Sequence, residues 1–324
     1  MDERVSQIAR IALGGSDISR DAAAYLCGLT GQQVYDLFYW ANAIRHARHG
    51  NRISLCSVIS AKQGKCAEDC RFCSQSVHHR TSIAEYPFVD RGKVIHAAES
   101  AKKMGSMGFG IVASGGSVCD SDEWPRVLDA VRAVVEMGGI MPCASLGSLT
   151  RQAAEDLKAA GLKRYHHNLE TSARHFPNLC STHSFEDRVR TIHIAREAGF
   201  QVCCGGIFGA GETWEDRIDL AFTLRELGAD SIPLNFLHPI PGTPLANAAP
   251  VPPMDLLKII ALYRFILPRQ EIRVCGGREV NLRDLQSWMF YAGADGTMIG
   301  NYLTTEGRCA DEDWRMFHDL GLTT

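Results

Sequence analysis

The run Gly64-Lys65-Cys66-Ala67-Glu68-Asp69-Cys70-Arg71-Phe72-Cys73 places three thiols within eight residues, separated by three and then by two others. Structural zinc is ordinarily closed by four Cys or His ligands, so this compact trio leaves one coordination position to something else. Three thiolates can also hold three irons of a 4Fe-4S cubane, with the fourth iron free for a ligand that the protein does not supply. A metal position left open in this way suits chemistry. On spacing alone the competing reading is a zinc knuckle completed by a distant Cys or His, or three buried thiols.

The elements that position the trio are legible along the chain. Eight segments rich in Val, Ile and small residues, at 53–59, 109–114, 140–145, 164–169, 201–206, 231–236, 272–276 and 297–300, read as strands. Helical stretches separate them, and this alternation predicts βαβ units closing as a (β/α)8 TIM-type barrel. Ser184-Phe185-Glu186-Asp187 and Thr213-Trp214-Glu215-Asp216 have the form of capping boxes, and Gly161 and Gly199 stand where helices stop. Residues 1–50 form an N-terminal helical extension in this reading. Residues 51–324 are the barrel with a short C-terminal helix, and the Pro-rich stretch 238–253 is a rigid loop. The trio then falls in the loop after the first strand, on the barrel face where such enzymes keep their chemistry.

With 45% hydrophobic and 22% charged residues over 324 positions, the chain has the composition of an ordinary globular protein. A formal charge of −3 and no basic patch interleaved with aromatics argue against a nucleic-acid partner. No run is long and apolar enough to span a bilayer, and the N-terminal residues lack the signal-peptide pattern, so the expected location is the cytoplasm. Twelve cysteines in that compartment point to metal binding or burial rather than disulfides.

The C-x3-C-x2-C spacing, with the aromatic Phe72 just before the last cysteine, resembles the signature of the radical S-adenosylmethionine (SAM) superfamily. YHHNLETS (165–172), VCCGGIFGAGETWEDR (202–217), HPIPGTPL (238–245) and IRVCGGRE (272–279) narrow the resemblance to the biotin synthase family. It implies a 4Fe-4S cluster on Cys66, Cys70 and Cys73 whose open iron binds SAM, and reductive cleavage of SAM to a 5′-deoxyadenosyl radical. That radical would activate dethiobiotin for sulfur insertion, with sulfur drawn from a second cluster inside the barrel. The resemblance further implies SAM contacts at Phe72, Asn168, Glu170, Arg188 and Ile207, and dethiobiotin contacts at Asn168 and Asn235. A flavodoxin- or ferredoxin-type electron donor and a homodimer are also implied. The other readings are a related radical SAM enzyme, such as a hydrogenase maturase or methylornithine synthase, and a zinc or iron-sulfur redox module.

Cys56, Cys143, Cys203 and Cys275 lie on four different predicted strands, and thiols pointing inward from separate strands converge on a barrel axis. The family's auxiliary cluster typically takes three cysteines and an arginine. Cys143, Cys203 and Arg273 match three of those positions, but the strand-two cysteine is replaced by Gly110. Cys56, one strand away and hence about 5 Å to the side, is the expected replacement. The expectation is a 4Fe-4S auxiliary cluster on Cys56, Cys143 and Cys203, with 2Fe-2S as the alternative and Arg273 and Cys275 as neighbours or ligands. Cys204 is expected in the core, and Cys119 and Cys180 as peripheral loop thiols. His78, His79, His166 and His167 are expected to be hydrogen-bonded structural residues.

Overall fold

A computed structural model describes residues 2–119 and 121–324. Nine strand segments run parallel: β1 Ser54–Lys62, β2 Gly108–Ala113, β3 Met141–Ser145, β4 Arg164–His166, β5 Gln201–Cys203, β6 Gly206–Phe208, β7 Ser231–Phe236, β8 Glu271–Val274 and β9 Gly296–Met298. The order β5-β4-β3-β2-β1-β9-β8-β7-β6 with an added β5–β7 pairing closes the sheet on itself. Helices between the strands complete an eight-position α/β barrel.

The fifth position departs from the single strand expected at 201–206. β5 and β6 keep one register against β7, with Cys203 beside Ser231 and Gly206 beside Leu234, but the ladder lapses between them. Pro233 faces the gap and has no N–H to donate. The backbones also come unusually close there, since a Cβ on Gly205 would lie 1.9 Å from the Pro233 carbonyl oxygen. The fourth strand is shorter than the expected 164–169. Past His166 the chain still follows β5, through His167 N–H to the Cys203 carbonyl and Leu169 N–H to the Gly205 carbonyl, both at 3.0 Å.

Both capping boxes form as expected, Ser184 with Asp187 and Thr213 with Asp216, and each opens a helix that returns the chain to the barrel floor. Gly161 and Gly199 take positive φ just past helix ends. Three helices, Glu3–Leu13, Arg20–Gly28 and Gln33–His49, precede the barrel. The last of them packs on helix Pro253–Ile266, whose residues 256–266 are all buried. A helix enclosed on every side must satisfy its polar groups internally. Lys258 Nζ donates to the Leu29 carbonyl at 2.7 Å, and Arg264, fully buried, pairs with Asp295 and caps four carbonyls.

Asp295 is 2% exposed and also accepts the Ile272 N–H at 2.8 Å. Asp295→Ala strands the Arg264 charge in the interior, an expected loss of about 3–5 kcal/mol read as a lower denaturation midpoint.

Candidate active site

The trio sits on the loop that leaves β1. Gly64 and Lys65, with φ of 76° and 53°, turn the chain back across the barrel mouth, where Cys66 N–H bonds the Gln75 carbonyl at 3.0 Å. The Val77 N–H returns to the Cys66 carbonyl at 2.8 Å, so the loop is a closed ring of backbone bonds. His78 Nε2 stands 3.0 Å from the Ala67 carbonyl and His79 Nδ1 2.8 Å from the Cys73 carbonyl. These histidines brace the loop that presents the thiols. Asp69 and Glu68 tie it to residues 181–183 of a neighbouring loop, the former through the Ser181 N–H at 2.8 Å.

Facing the trio is a cavity of about 190 Å³ lined by Ser114, Gly115, Gly116, Asn168, Glu170 and Arg188. The loops after β2 and β3 meet there so closely that a Cβ on Gly147, at φ 82°, would fall 2.3 Å from the Gly116 carbonyl oxygen. Arg188 donates Nη1 to the Asn168 carbonyl at 2.9 Å and Nε to His183 Nε2 at 3.0 Å. Its surface neighbour Asp187 is engaged by Arg190 at 2.8 Å instead. Glu170 is held at φ 70° with Oε1 3.9 Å from Arg188 Nη1. Burial pushes its carboxyl up, and Arg188 opposes that shift. Asn168 Oδ1 accepts the Gly205 N–H at 3.0 Å, and His166, held neutral by burial with its pKa down at about 4, lies 3.0 Å from the same oxygen. Ile207 reaches this wall by its backbone, its N–H bonding the Glu170 carbonyl at 2.8 Å.

A second and larger cavity, about 400 Å³, fills the upper barrel and shares Phe72, Cys73, Gln75, Asn168 and Glu170 with the first. Asn235 faces it from β7, with Nδ2 on the Gly206 carbonyl at 3.3 Å and Oδ1 accepting the Gly276 N–H at 3.0 Å. At its base Cys56 of β1, Cys143 of β3, Cys203 of β5 and Cys275, the residue just after β8, gather with Arg164 and Arg273 among them. Cys56 and Cys143 flank β2: a Cβ on Gly108 would lie 3.8 Å from Cys143 Sγ and 3.9 Å from Cys56 Cβ. The Cys275 thiol faces Cys56, and this hydrogen bond, with Arg273 beside it, lowers the Cys56 pKa while raising that of Cys275. None of these four cysteines forms a disulfide. The trio at the mouth and the four thiols at the base are both soft sulfur donor sets of the kind that iron-sulfur clusters take, and at the mouth Cys70, Cys180 and His183 also bring their ligand atoms within 4.8 Å of one another.

Three features were not legible in the sequence. Cys180, expected as a peripheral thiol, is 5% exposed, with Sγ 3.7 Å from Cys70 Sγ and 3.3 Å from His183 Nδ1. Its spacing to His183, just before a capping box, was the available signal. Residues Tyr302 to Thr305, which no sequence motif marks, line the large cavity. Arg164, read only as the start of a strand, points inward beside the four thiols. Cys204 is buried in the core as expected, and Cys309 is exposed.

Most of these thiols are protonated in the metal-free chain. Burial pushes Cys143 to about 12 and both Cys203 and Cys73 to about 11. Iron binds the thiolate, so loading releases protons and is favoured as pH rises. Iron loss to a chelator is therefore expected to be faster toward roughly pH 6.5 than toward pH 8.5, by about tenfold per pH unit for each proton taken up in the step. The loss of absorbance of the loaded protein with time measures it.

The Radical SAM superfamily model matches residues 62–224, and the Biotin and Thiamin Synthesis associated domain matches 233–323. The biotin synthase of Geotalea uraniireducens is 49% identical over 323 residues, covering 100% of this chain and 98% of that protein. That of Trichlorobacter lovleyi is 51% identical over 321 residues, covering 99% and 96%. Among solved structures, methylornithine synthase superposes with a TM-score of 0.84 at 19% identity, covering 98% of this chain and 96% of the other. The FeFe-hydrogenase maturase of Carboxydothermus hydrogenoformans gives 0.82 at 18%, covering 99% and 79%. These two likenesses carry the fold alone. Among the described residues, no helix is long and apolar enough to cross a membrane.

Proposed function

Because the chain belongs to the biotin synthases of the radical SAM superfamily, we propose that its two sulfur-lined chambers divide one reaction between them. The reaction converts dethiobiotin to biotin with SAM. When bound, the 4Fe-4S cluster supplies the electron that splits SAM, and the auxiliary cluster supplies the sulfur that dethiobiotin takes up. In this reading Cys66, Cys70 and Cys73 hold the first cluster, and Cys56, Cys143 and Cys203 hold the second, as a 4Fe-4S rather than a 2Fe-2S species. Arg273 and Cys275 stand beside the second.

The observation that carries the reading is the shared wall. Phe72, Cys73, Asn168 and Glu170 border both cavities, so a substrate in the large one lies between the trio above and the four thiols below. In this reading Glu170 accepts the ribose hydroxyls of SAM, and the Arg188 guanidinium forks onto its carboxylate. Asn235 offers the ureido ring of dethiobiotin both a donor and an acceptor. Hydrogen abstraction requires no titratable base. The chain's part is to hold the reactive carbon close to the radical and to keep water away from it. Tyr302 to Thr305, which line the large cavity, contribute to that shielding in this reading. A small flavodoxin or ferredoxin as electron donor, a homodimer and a cytoplasmic location complete the proposal.

An anaerobic assay with dethiobiotin, SAM and a reductant tests it. The expected result is biotin together with 5′-deoxyadenosine, from protein holding roughly eight irons, four per cubane. Deoxyadenosine without biotin removes the substrate assignment, and one zinc per chain removes the iron-sulfur reading altogether.

A further inference from the structure

The base of the large cavity carries more positive charge than its hydrogen bonds account for. Arg273 Nη2 donates to Ser54 Oγ at 2.6 Å and to Glu271 Oε2 at 2.8 Å. Arg164, directly beside Cys143 in the β3–β4 register, reaches the same carboxylate oxygen with Nη2 at 3.2 Å and bonds Gln201 Oε1 at 3.0 Å. Two guanidinium groups thus share a single carboxylate, and both are buried, at 7% and 4% exposure. Each keeps one buried nitrogen without a partner, Nη1 on Arg164 and Nε on Arg273. A buried cation with an unmade hydrogen bond is costly unless an anion or acceptor completes it. Both residues line the chamber that holds Cys56, Cys143, Cys203 and Cys275. The chamber is therefore faced by two guanidinium groups that share one carboxylate and keep donors unmade.

Resting on the reading of a sulfur-donating cluster at this site, we propose that Arg164 is a positioning residue for that cluster. Its guanidinium offsets the negative charge of the three thiolates and the cluster sulfides, and Glu271 sets how much of that charge is felt. A cation in a chamber of low dielectric stabilises the reduced, more negative state of the cluster over the oxidised one. Arg164 thereby raises the reduction potential of the auxiliary cluster and anchors its sulfur. It takes no part at the mouth, where SAM is split.

The test uses the fully loaded protein and reads the potential of the second cluster by anaerobic titration followed by electron paramagnetic resonance. In Arg164→Met the equilibrium constant for reducing that cluster is expected to fall at least tenfold, which is about 59 mV for one electron. Its iron is also expected to leave faster to a chelator, while 5′-deoxyadenosine formation stays within about twofold of the parent. Arg164→Lys keeps the charge and is expected to stay near the parent potential. Glu271→Gln is expected to move the potential the other way, to more positive values. A residue that merely braces the barrel floor gives no such opposed pair. An unchanged potential in Arg164→Met, or shifts of the same sign in Arg164→Met and Glu271→Gln, overturns the proposal. If Arg164→Met does not retain the second cluster, Glu271→Gln decides alone, and a zero or negative shift there overturns it. Parent protein with iron for only one cluster removes the underlying reading rather than this one.

Discussion

Cys66→Ala is expected to form no 5′-deoxyadenosine above background, a loss of at least ~1000-fold, equivalent to roughly 4 kcal/mol or more of transition-state free energy. The reasoning is one of supply. The loop offers three thiols and no fourth, and Cys66 is fixed by its own backbone bonds to Gln75 and Val77. Removing it leaves an iron with no protein ligand in a site that already reserves one position for SAM. Iron is expected to fall from roughly eight to roughly four per chain, with the auxiliary cluster retained. Cys70→Ala is a less clean test, because Cys180 Sγ lies 3.7 Å from Cys70 Sγ and is placed to substitute for it. The double variant Cys70→Ala/Cys180→Ala removes that reserve. Deoxyadenosine from Cys66→Ala within tenfold of the parent would contradict the assignment of the trio.

The second large effect separates the two chambers. Cys143→Ala and Cys203→Ala are expected to split SAM within about threefold of the parent yet make no biotin, with iron again near four per chain. A mutation that abolishes the product while sparing radical formation places its residue with the sulfur source rather than with the radical. Cys56→Ala is the decisive member of the series. Cys56 pairs with Gly108 on β2 and with Met298 on β9, so its thiol approaches the chamber from the side that the family's strand-two cysteine would occupy. It is expected to behave like Cys143→Ala, whereas Cys275→Ala is expected to keep both clusters. If Cys56→Ala retains the full iron and sulfide, Cys275 or Arg273 supplies the third ligand instead.

The barrel was legible because its signals are local. Strand segments alternate with helices whose caps can be read residue by residue, as at Ser184 and Thr213. The trio was legible because its three thiols are adjacent in the chain. The four inner cysteines were legible because they fall on four separate predicted strands and because Cys143, Cys203 and Arg273 match positions of the family's ligand set. What escaped were contacts between residues far apart in sequence. Cys180 meets Cys70 across 110 residues, and Arg164 meets Glu271 across 107. Nothing in either local pattern marks such a meeting, and a loop cysteine or a strand-initial arginine is ordinary taken singly. The gap between β5 and β6 escaped for the same reason, because its cause, Pro233, lies on another strand.

The glycine on the second strand also bears on the shape of the chamber. A side chain at Gly110 would set its Cβ 3.1 Å from Cγ1 of Val58, closer than such contacts comfortably allow. A cysteine returned to that position therefore needs the Val58 side chain to give by a few tenths of an ångström. Val58 lines the same chamber, so moving the third thiol between the first and second strands also reshapes the wall that a bound molecule meets.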